Sequence, residues 1–155
     1  MRKIQLSRNK YTIVDDKDFL LLEKFVWICS SAGYAVRHLT DCVGNKKTIL
    51  MHRQILNAPK KMEIDHVNND RLDNRRENLR FCSHWENTCN RKISLNNKSG
   101  YKGVSWDKKA RKWRTTIQSK YKSMYLGCYS SKIEAAGVYN QYARELFGDF
   151  ACLNI

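Results

Sequence analysis

Apolar and polar residues alternate in short bursts along the first third of the chain. Ile4 and Leu6, then Tyr11 and Ile13, flank the polar run Ser7-Arg8-Asn9-Lys10. A period of two on both sides of a polar turn predicts a short hairpin. A brief helix is expected after Asp16, then strands near 26–29 and 34–38, and a segment 48–56 running towards Pro59. In residues 61–92, Ile64 and the pair Leu79/Phe81 mark two short strands around a polar loop. Ser83 with Glu86 three positions on forms a capping box, so a helix is expected to begin there. On that helix Trp85 and Cys89 face the core at i and i+4, while Asn87, Asn90 and Arg91 point roughly the other way. The order is strand, loop, strand, helix, which allows polar groups from strand and helix to converge.

The polar stretch 94–100 reads as a linker. Beyond it, Val104 and Trp106, then Trp113, Thr115 and Ile117, then Tyr125, Leu126 and Tyr129 predict three antiparallel strands, with turns near 107–111 and 119–122. A second capping box, Ser131 with Glu134, opens a helix that Gly148 ends. Its apolar stripe is Ile133, Ala136, Tyr139, Ala143 and Leu146/Phe147. One helix laid across three strands leaves the other sheet face open. The pattern divides the chain into a β-rich segment (1–60), a polar motif (61–92), a linker (93–100) and a sheet-plus-helix module (101–155).

Composition narrows the function classes. With 155 residues and 42% hydrophobic content, the chain suits one ordinary domain or two small ones; 11% aromatics argues against disorder. Glu23 and Lys24 interrupt the best apolar run well short of the ~20 residues of a membrane span. Arg2 and Lys3 are followed by no apolar signal region, so neither membrane insertion nor secretion is expected. The six cysteines contain no C-x-x-C pair, which gives no support to a structural zinc site. They are expected to be reduced thiols in a cytoplasmic setting. The net charge of +14 points to a polyanion such as nucleic acid. Basic residues outnumber acidic ones by 18 to 11 up to residue 95 and by 11 to 4 after it, +7 on each side. The sharpest concentration lies between Lys98 and Lys122, with nine Lys or Arg and a single acid, Asp107.

The polar motif carries the candidate chemistry. Phosphodiester hydrolysis needs a base such as histidine, whose unperturbed pKa near ~6.5 lets it take a proton from water. It also gains from a hard divalent cation held by carboxylate and amide oxygens. Asp-His dipeptides and Asp73-Asn74 turn pairs are commonplace alone, but the joint pattern is more specific. Asp65-His66, Asp73-Asn74-Arg75, Glu77-Asn78-Leu79-Arg80 and Asn87-Thr88-Cys89-Asn90-Arg91 resemble the HNH nuclease motif in its H-N-N form. The resemblance implies a ββα-metal fold that cleaves DNA with a divalent ion, Mg2+ or Mn2+. It implies that His66 is the general base, that Asp65 and Asn87 ligate the metal, and that Asn78 orients the His66 ring. His84 is an alternative to Asn87 as a ligand. Adjacent strand residues point to opposite faces, so Asp65 and His66 share a site only if the strand ends or twists there. His38 and His52 stand outside any acidic or amide cluster and are expected to be structural or DNA-facing. Gly33-Tyr34-Ala35-Val36-Arg37 and Met51-His52-Arg53 also resemble the N-terminal part of phage and intron homing nucleases.

The C-terminal zone resembles the plant APETALA/ethylene-response-factor DNA-binding domain. The matching elements are Tyr101-Lys102-Gly103-Val104, Lys112-Trp113, Tyr125-Leu126-Gly127, Glu134-Ala135-Ala136, Tyr139, Phe147-Gly148 and Leu153-Asn154. In that family the sheet reads the groove, which implies DNA-facing roles for Lys102, Trp106, Arg111, Trp113 and Arg114. Lys102, and Ser105 with Asp107 around Trp106, depart from positions where the family carries arginine, so no base preference follows.

Together these readings predict an α+β protein: a ββα-metal (HNH) nuclease core with an N-terminal β-rich segment, plus a three-stranded antiparallel sheet packed on one helix. The expected partner is double-stranded DNA, with no protein partner and no membrane. A monomer would nick and a homodimer could cut both strands. The expected setting is the cytoplasm of a bacterial or phage-infected host cell. The competing class is a non-catalytic DNA-binding regulator that keeps the HNH scaffold.

Overall fold

The alternation at the N-terminus does build a hairpin in the computed structural model, which describes residues 1–120 and 122–155. Strands β1 (Arg2–Gln5) and β2 (Tyr11–Val14) pair antiparallel, with Arg8 and Asn9 at positive φ in the turn. Helix α1 (Asp16–Leu22) follows, carrying Asp16 and Asp18 in its first turn, where the helix dipole favours negative charge. β3 (Ile28–Cys29), β4 (Ala35–Thr40) and β5 (Lys46–Leu50) form an antiparallel sheet in that order. The segment 48–56 divides between two states: its start finishes β5, and Met51–Ile55 form the short helix α2. β6 (Glu63–His66) and β7 (Leu79–Cys82) then pair antiparallel, Asp65 opposite Arg80 and His66 opposite Leu79.

These elements belong to the first of two compact units, residues 1–83. One core joins the N-terminal segment to the β6–β7 hairpin, with Ile4, Leu6, Val14, Leu22, Trp27, Met51, Ile64 and Leu79 all buried in it. Burying each such large side chain is worth about 1.5–3 kcal/mol. The zones 1–60 and 61–82 are therefore one body. Backbone bonds strengthen the union: Ile13 N–H donates to Leu72 O, and Asn74 N–H donates to Ile13 O, both at 2.8 Å. Strand β2 thus braces the loop between β6 and β7.

The second unit, residues 84–155, begins with α3 (His84–Cys89). β8 (Val104–Asp107), β9 (Lys112–Ser119) and β10 (Lys122–Tyr129) form an antiparallel sheet with β9 central, followed by α4 (Lys132–Phe147). Ser131 caps α4, its hydroxyl accepting from Ile133 N–H, and Gly148 ends it at φ 51°. The buried stripe of α4 is Ala135, Ala136, Tyr139 and Ala143, packed towards Val104, Thr115 and Ile117. Ile133, expected in that stripe, is 69% exposed. The alanines win the sheet-facing positions because they let helix and sheet approach closely. Gly103 reports the same tight fit. It sits at φ 75°, and a Cβ there would lie 2.2 Å from the Tyr139 ring and 2.5 Å from Thr116 O.

The stretch expected as a linker is folded into this unit. Ser99 is buried and its hydroxyl donates towards Asn97 Oδ1 and Tyr101 O, while Asn97 Nδ2 donates to Tyr101 O. Asn154 exchanges bonds with Lys102 and with Asn140, tying the chain's last residues to the start of the sheet. No helix among the described residues is long and apolar enough to cross a membrane.

Candidate active site

His66 is the last residue of β6, and the chain turns immediately after it. Asn69 N–H closes on His66 O at 2.8 Å, with Asn69 itself at φ 59°, a conformation asparagine tolerates well. Strand β6 therefore ends at His66, next to Asp65. Both side chains are buried. The Arg80 guanidinium, directly across the ladder, donates to Asp65 Oδ2 from Nη2 at 2.7 Å and from Nε at 3.0 Å.

Asparagines and Asp73 build the loop beyond the strand. Asn78 Oδ1 accepts from Asn68 N–H at 2.9 Å, and Asn78 Nδ2 donates to Asp73 O at 2.8 Å. Asp73 in turn accepts from Asn68 Nδ2 and from Arg75, whose guanidinium, with help from burial-opposing hydrogen bonds, keeps the Asp73 carboxyl below the usual range. The Asn78 side chain therefore ties the start of the loop to its middle. Asn78 is the residue expected to orient the His66 ring; an amide that meets the ring directly is that of Asn74, whose Oδ1 lies 3.3 Å from His66 Nε2. Asn74 is fully buried, and its Nδ2 donates to Thr12 Oγ1 at 2.7 Å.

Two more rings enclose His66. The His52 ring stands edge-on to it, centroids 5.1 Å apart, and Tyr34 lies 6.0 Å from His66 and 5.3 Å from His52. Burial pushes His52 down to about 3, with the neighbouring His66 and Arg53 adding to the effect. Burial also lowers His66, against the opposing pull of the Asn74 bond and of Asp65, Asp70 and Asp73. Both imidazoles are thus held neutral near pH 7, the form in which a histidine accepts a proton. His38, by contrast, is exposed and meets Thr48 Oγ1 at 3.1 Å.

In the second unit Asn87 is half-buried on α3, and His84 begins that helix. Arg114 lies on the sheet face away from α4, in the row Ser105–Arg114–Cys128, with its guanidinium 5.4 Å from the Tyr125 ring. Arg111 is exposed in the β8–β9 turn. Trp106 is 49% exposed and packs edge-on against Trp113 at 5.1 Å. The other two residues expected to face DNA, Trp113 and Lys102, make contacts within the unit. Trp113 packs with Tyr101 and Tyr129 against Val104, Ala135 and Ala136. The Lys102 ammonium donates to Cys89 O at 2.7 Å and Arg91 O at 2.8 Å, and burial pulls its pKa below the ordinary lysine value. Sidedness explains both: position 113 shares the face of Thr115, and position 102 precedes the sheet.

The model of the HNH endonuclease family matches residues 57–89, from before β6 to the end of α3. Protein 3.8 of Escherichia phage T7 is 36% identical over 93 residues, covering 60% of this chain and 76% of that protein. An uncharacterised HNH endonuclease of Acanthamoeba polyphaga mimivirus is 28% identical over 157 residues, covering 96% of this chain and 78% of that protein. Residues 57–89 form an HNH endonuclease domain, and the chain has a viral HNH endonuclease homologue. The HNH match holds Asp65, His66, Asn78 and Asn87, whereas Thr12, Tyr34, His52 and the C-terminal sheet lie outside it. No solved structure matches the chain.

HNH nucleases generally use a divalent metal, and the donor chemistry here suits one. Asp65 and Asn87 offer carboxylate and amide oxygens, which hard cations take. Among the described residues there is no group of three or more His, Cys, Asp or Glu side chains able to hold a metal. An aspartate–asparagine pair is not of that kind.

Proposed function

We propose that this chain is a metal-dependent endonuclease of the homing type that hydrolyses phosphodiester bonds in double-stranded DNA, with His66 as general base. The observation that carries the reading is the setting of His66. Its neutral, buried ring is anchored at Nε2 and sits beside Asp65 inside the segment that matches the HNH family. In this reading His66 takes a proton from water, and the resulting hydroxide attacks phosphorus as the 3′ oxygen leaves. Asp65 and Asn87 would hold Mg2+ or Mn2+, and when bound the ion supplies charge stabilisation on the phosphate and the leaving oxygen. Arg80 steadies Asp65, and Asn78 keeps the loop closed behind His66.

The second unit grips the duplex. Its three-stranded sheet backed by α4 supports the reading of a DNA-holding module. We assign DNA contact to Arg114 on the face away from α4 and Arg111 in the β8–β9 turn, with Trp106 exposed on the edge strand β8 on the other face. Lys102 and Trp113 support that surface from within. The likeness to phage and viral proteins favours work in the cytoplasm of an infected host cell.

Incubating the purified chain with supercoiled plasmid, with Mg2+ or with EDTA, tests the proposal. Metal-dependent nicks are expected. His66→Ala should lower the single-turnover rate by at least about 100-fold while DNA affinity stays within about twofold. A gel shift with no cleavage on a panel of DNAs would instead make the chain a DNA-binding regulator.

A further inference from the structure

The N-terminal hairpin reaches the His66 ring through two side chains, and the direction of every hydrogen bond in that path can be worked out. Thr12 is fully buried. Its hydroxyl has one proton and two possible acceptors, Leu72 O at 2.7 Å and Met51 Sδ at 3.8 Å. The carbonyl is nearer and stronger, so it takes the proton. Thr12 Oγ1 is left as an acceptor at 2.7 Å from the Asn74 amide. An acceptor there demands the NH2 group of Asn74, which turns Oδ1 towards His66. Flipping the amide would set its oxygen against the spent hydroxyl and its NH2 against the ring. Amide oxygens only accept, so His66 Nε2 must carry the hydrogen across the 3.3 Å separation. In a neutral imidazole the lone pair then resides on Nδ1.

We propose that Thr12 and Asn74 are positioning residues of the nuclease site: through them the N-terminal hairpin fixes His66 in the Nε2–H tautomer and makes Nδ1 the atom that accepts the proton from water. This rests on the reading of His66 as general base. It extends the site beyond residues 57–89, because Thr12 lies 62 residues before Asn74. The backbone pairs Ile13 N–H to Leu72 O and Asn74 N–H to Ile13 O hold the two partners in register, so the relay is built into the brace between β2 and the loop.

The test uses the full chain and two readouts. Long-range 1H–15N spectra of the histidine rings should show His66 protonated at Nε2 in the wild type, a measurement that needs no cleavage. Thr12→Val keeps the shape but removes the acceptor. It should mix the two tautomers of His66 and lower the single-turnover cleavage rate by about 10-fold or more, with DNA affinity unchanged. Thr12→Ser restores the hydroxyl and should return the rate to within about threefold of the wild type. An Nδ1–H tautomer in the wild type overturns the proposal whether or not Thr12→Val folds. So does a Thr12→Val protein that cleaves at the wild-type rate, or a Thr12→Ser protein no better than Thr12→Val. If the wild type cleaves nothing yet shows the Nε2–H ring, the nuclease reading fails and the relay stands as a fixed element of the fold.

Discussion

The two units carry similar charge and use it in opposite ways. Residues 1–83 contain 16 basic and 10 acidic side chains, and residues 84–155 contain 13 and 5. In the first unit the arginines are largely internal fasteners. Arg76 binds the buried Asp18 and Ile55 O; Arg80 binds Asp65; Arg75 binds Asp73 and Glu77. Arg53 holds the carbonyls of Ala58, Pro59 and Met62, and Arg71 holds that of Ala32. In the second unit Lys108, Lys109, Arg111, Lys112, Arg114, Lys120 and Lys122 are exposed around one sheet. Net charge counts both populations alike, but the first unit's arginines are largely engaged in internal bonds while its exposed cations are mostly lysines, such as Lys3, Lys10, Lys46 and Lys47. The equal split at residue 95 concealed that difference.

Arginine removal on the two sides should break the symmetry most visibly. Arg80→Met leaves the Asp65 carboxylate buried without its guanidinium, and the unfolding free energy should fall by about 3 kcal/mol, read from urea titration. A loss below about 0.5 kcal/mol would mean that Arg80 is no fastener. Acidification gives the next largest effect and belongs to the first unit. The folded pKa of His52, about 3, lies below its unfolded value of 6.5. The stabilisation is therefore complete above pH 6.5 and is lost as pH falls towards 3, because the unfolded chain binds the extra proton. The slope should reach about 1.4 kcal/mol per pH unit in that window, with His66 contributing in the same direction. His52→Phe should flatten the dependence of the melting temperature on pH, and an unaltered slope would point to other groups. The smallest effect is reserved for the surface. Arg114→Ala should cost about 1 kcal/mol of DNA affinity and lower the salt slope by roughly one, with the melting temperature unmoved. Equal losses from exposed arginines of the first unit would erase the distinction drawn here.

What could be read from the residues divides along physical lines. The N-terminal hairpin, the three-stranded sheet and α4 follow from alternation, capping residues and a terminal glycine, all of them local signals. Helix α2 was illegible because its apolar run continues from β5 and its N-cap, Leu50, makes no side-chain capping bond. His66, Asp65 and Asn78 stood out by their spacing. Asn74 and Thr12 did not, since a turn asparagine and a strand threonine look the same whether solvated or fully buried; only tertiary packing decides. His52 was hidden for the same reason. Lys102 was equally opaque: nothing local in the sequence announces that its ammonium donates to the carbonyls of residues 89 and 91.

The bond between Thr12 and Asn74 also sets an order of events in the life of the chain. Its two ends are far apart in sequence, so closing that loop costs entropy that is recovered only when the surrounding core forms. A chain still emerging from the ribosome, with residue 74 not yet free, holds residue 66 without the amide that sets its proton. The Thr12–Asn74 contact therefore forms late in folding, together with the core that surrounds it.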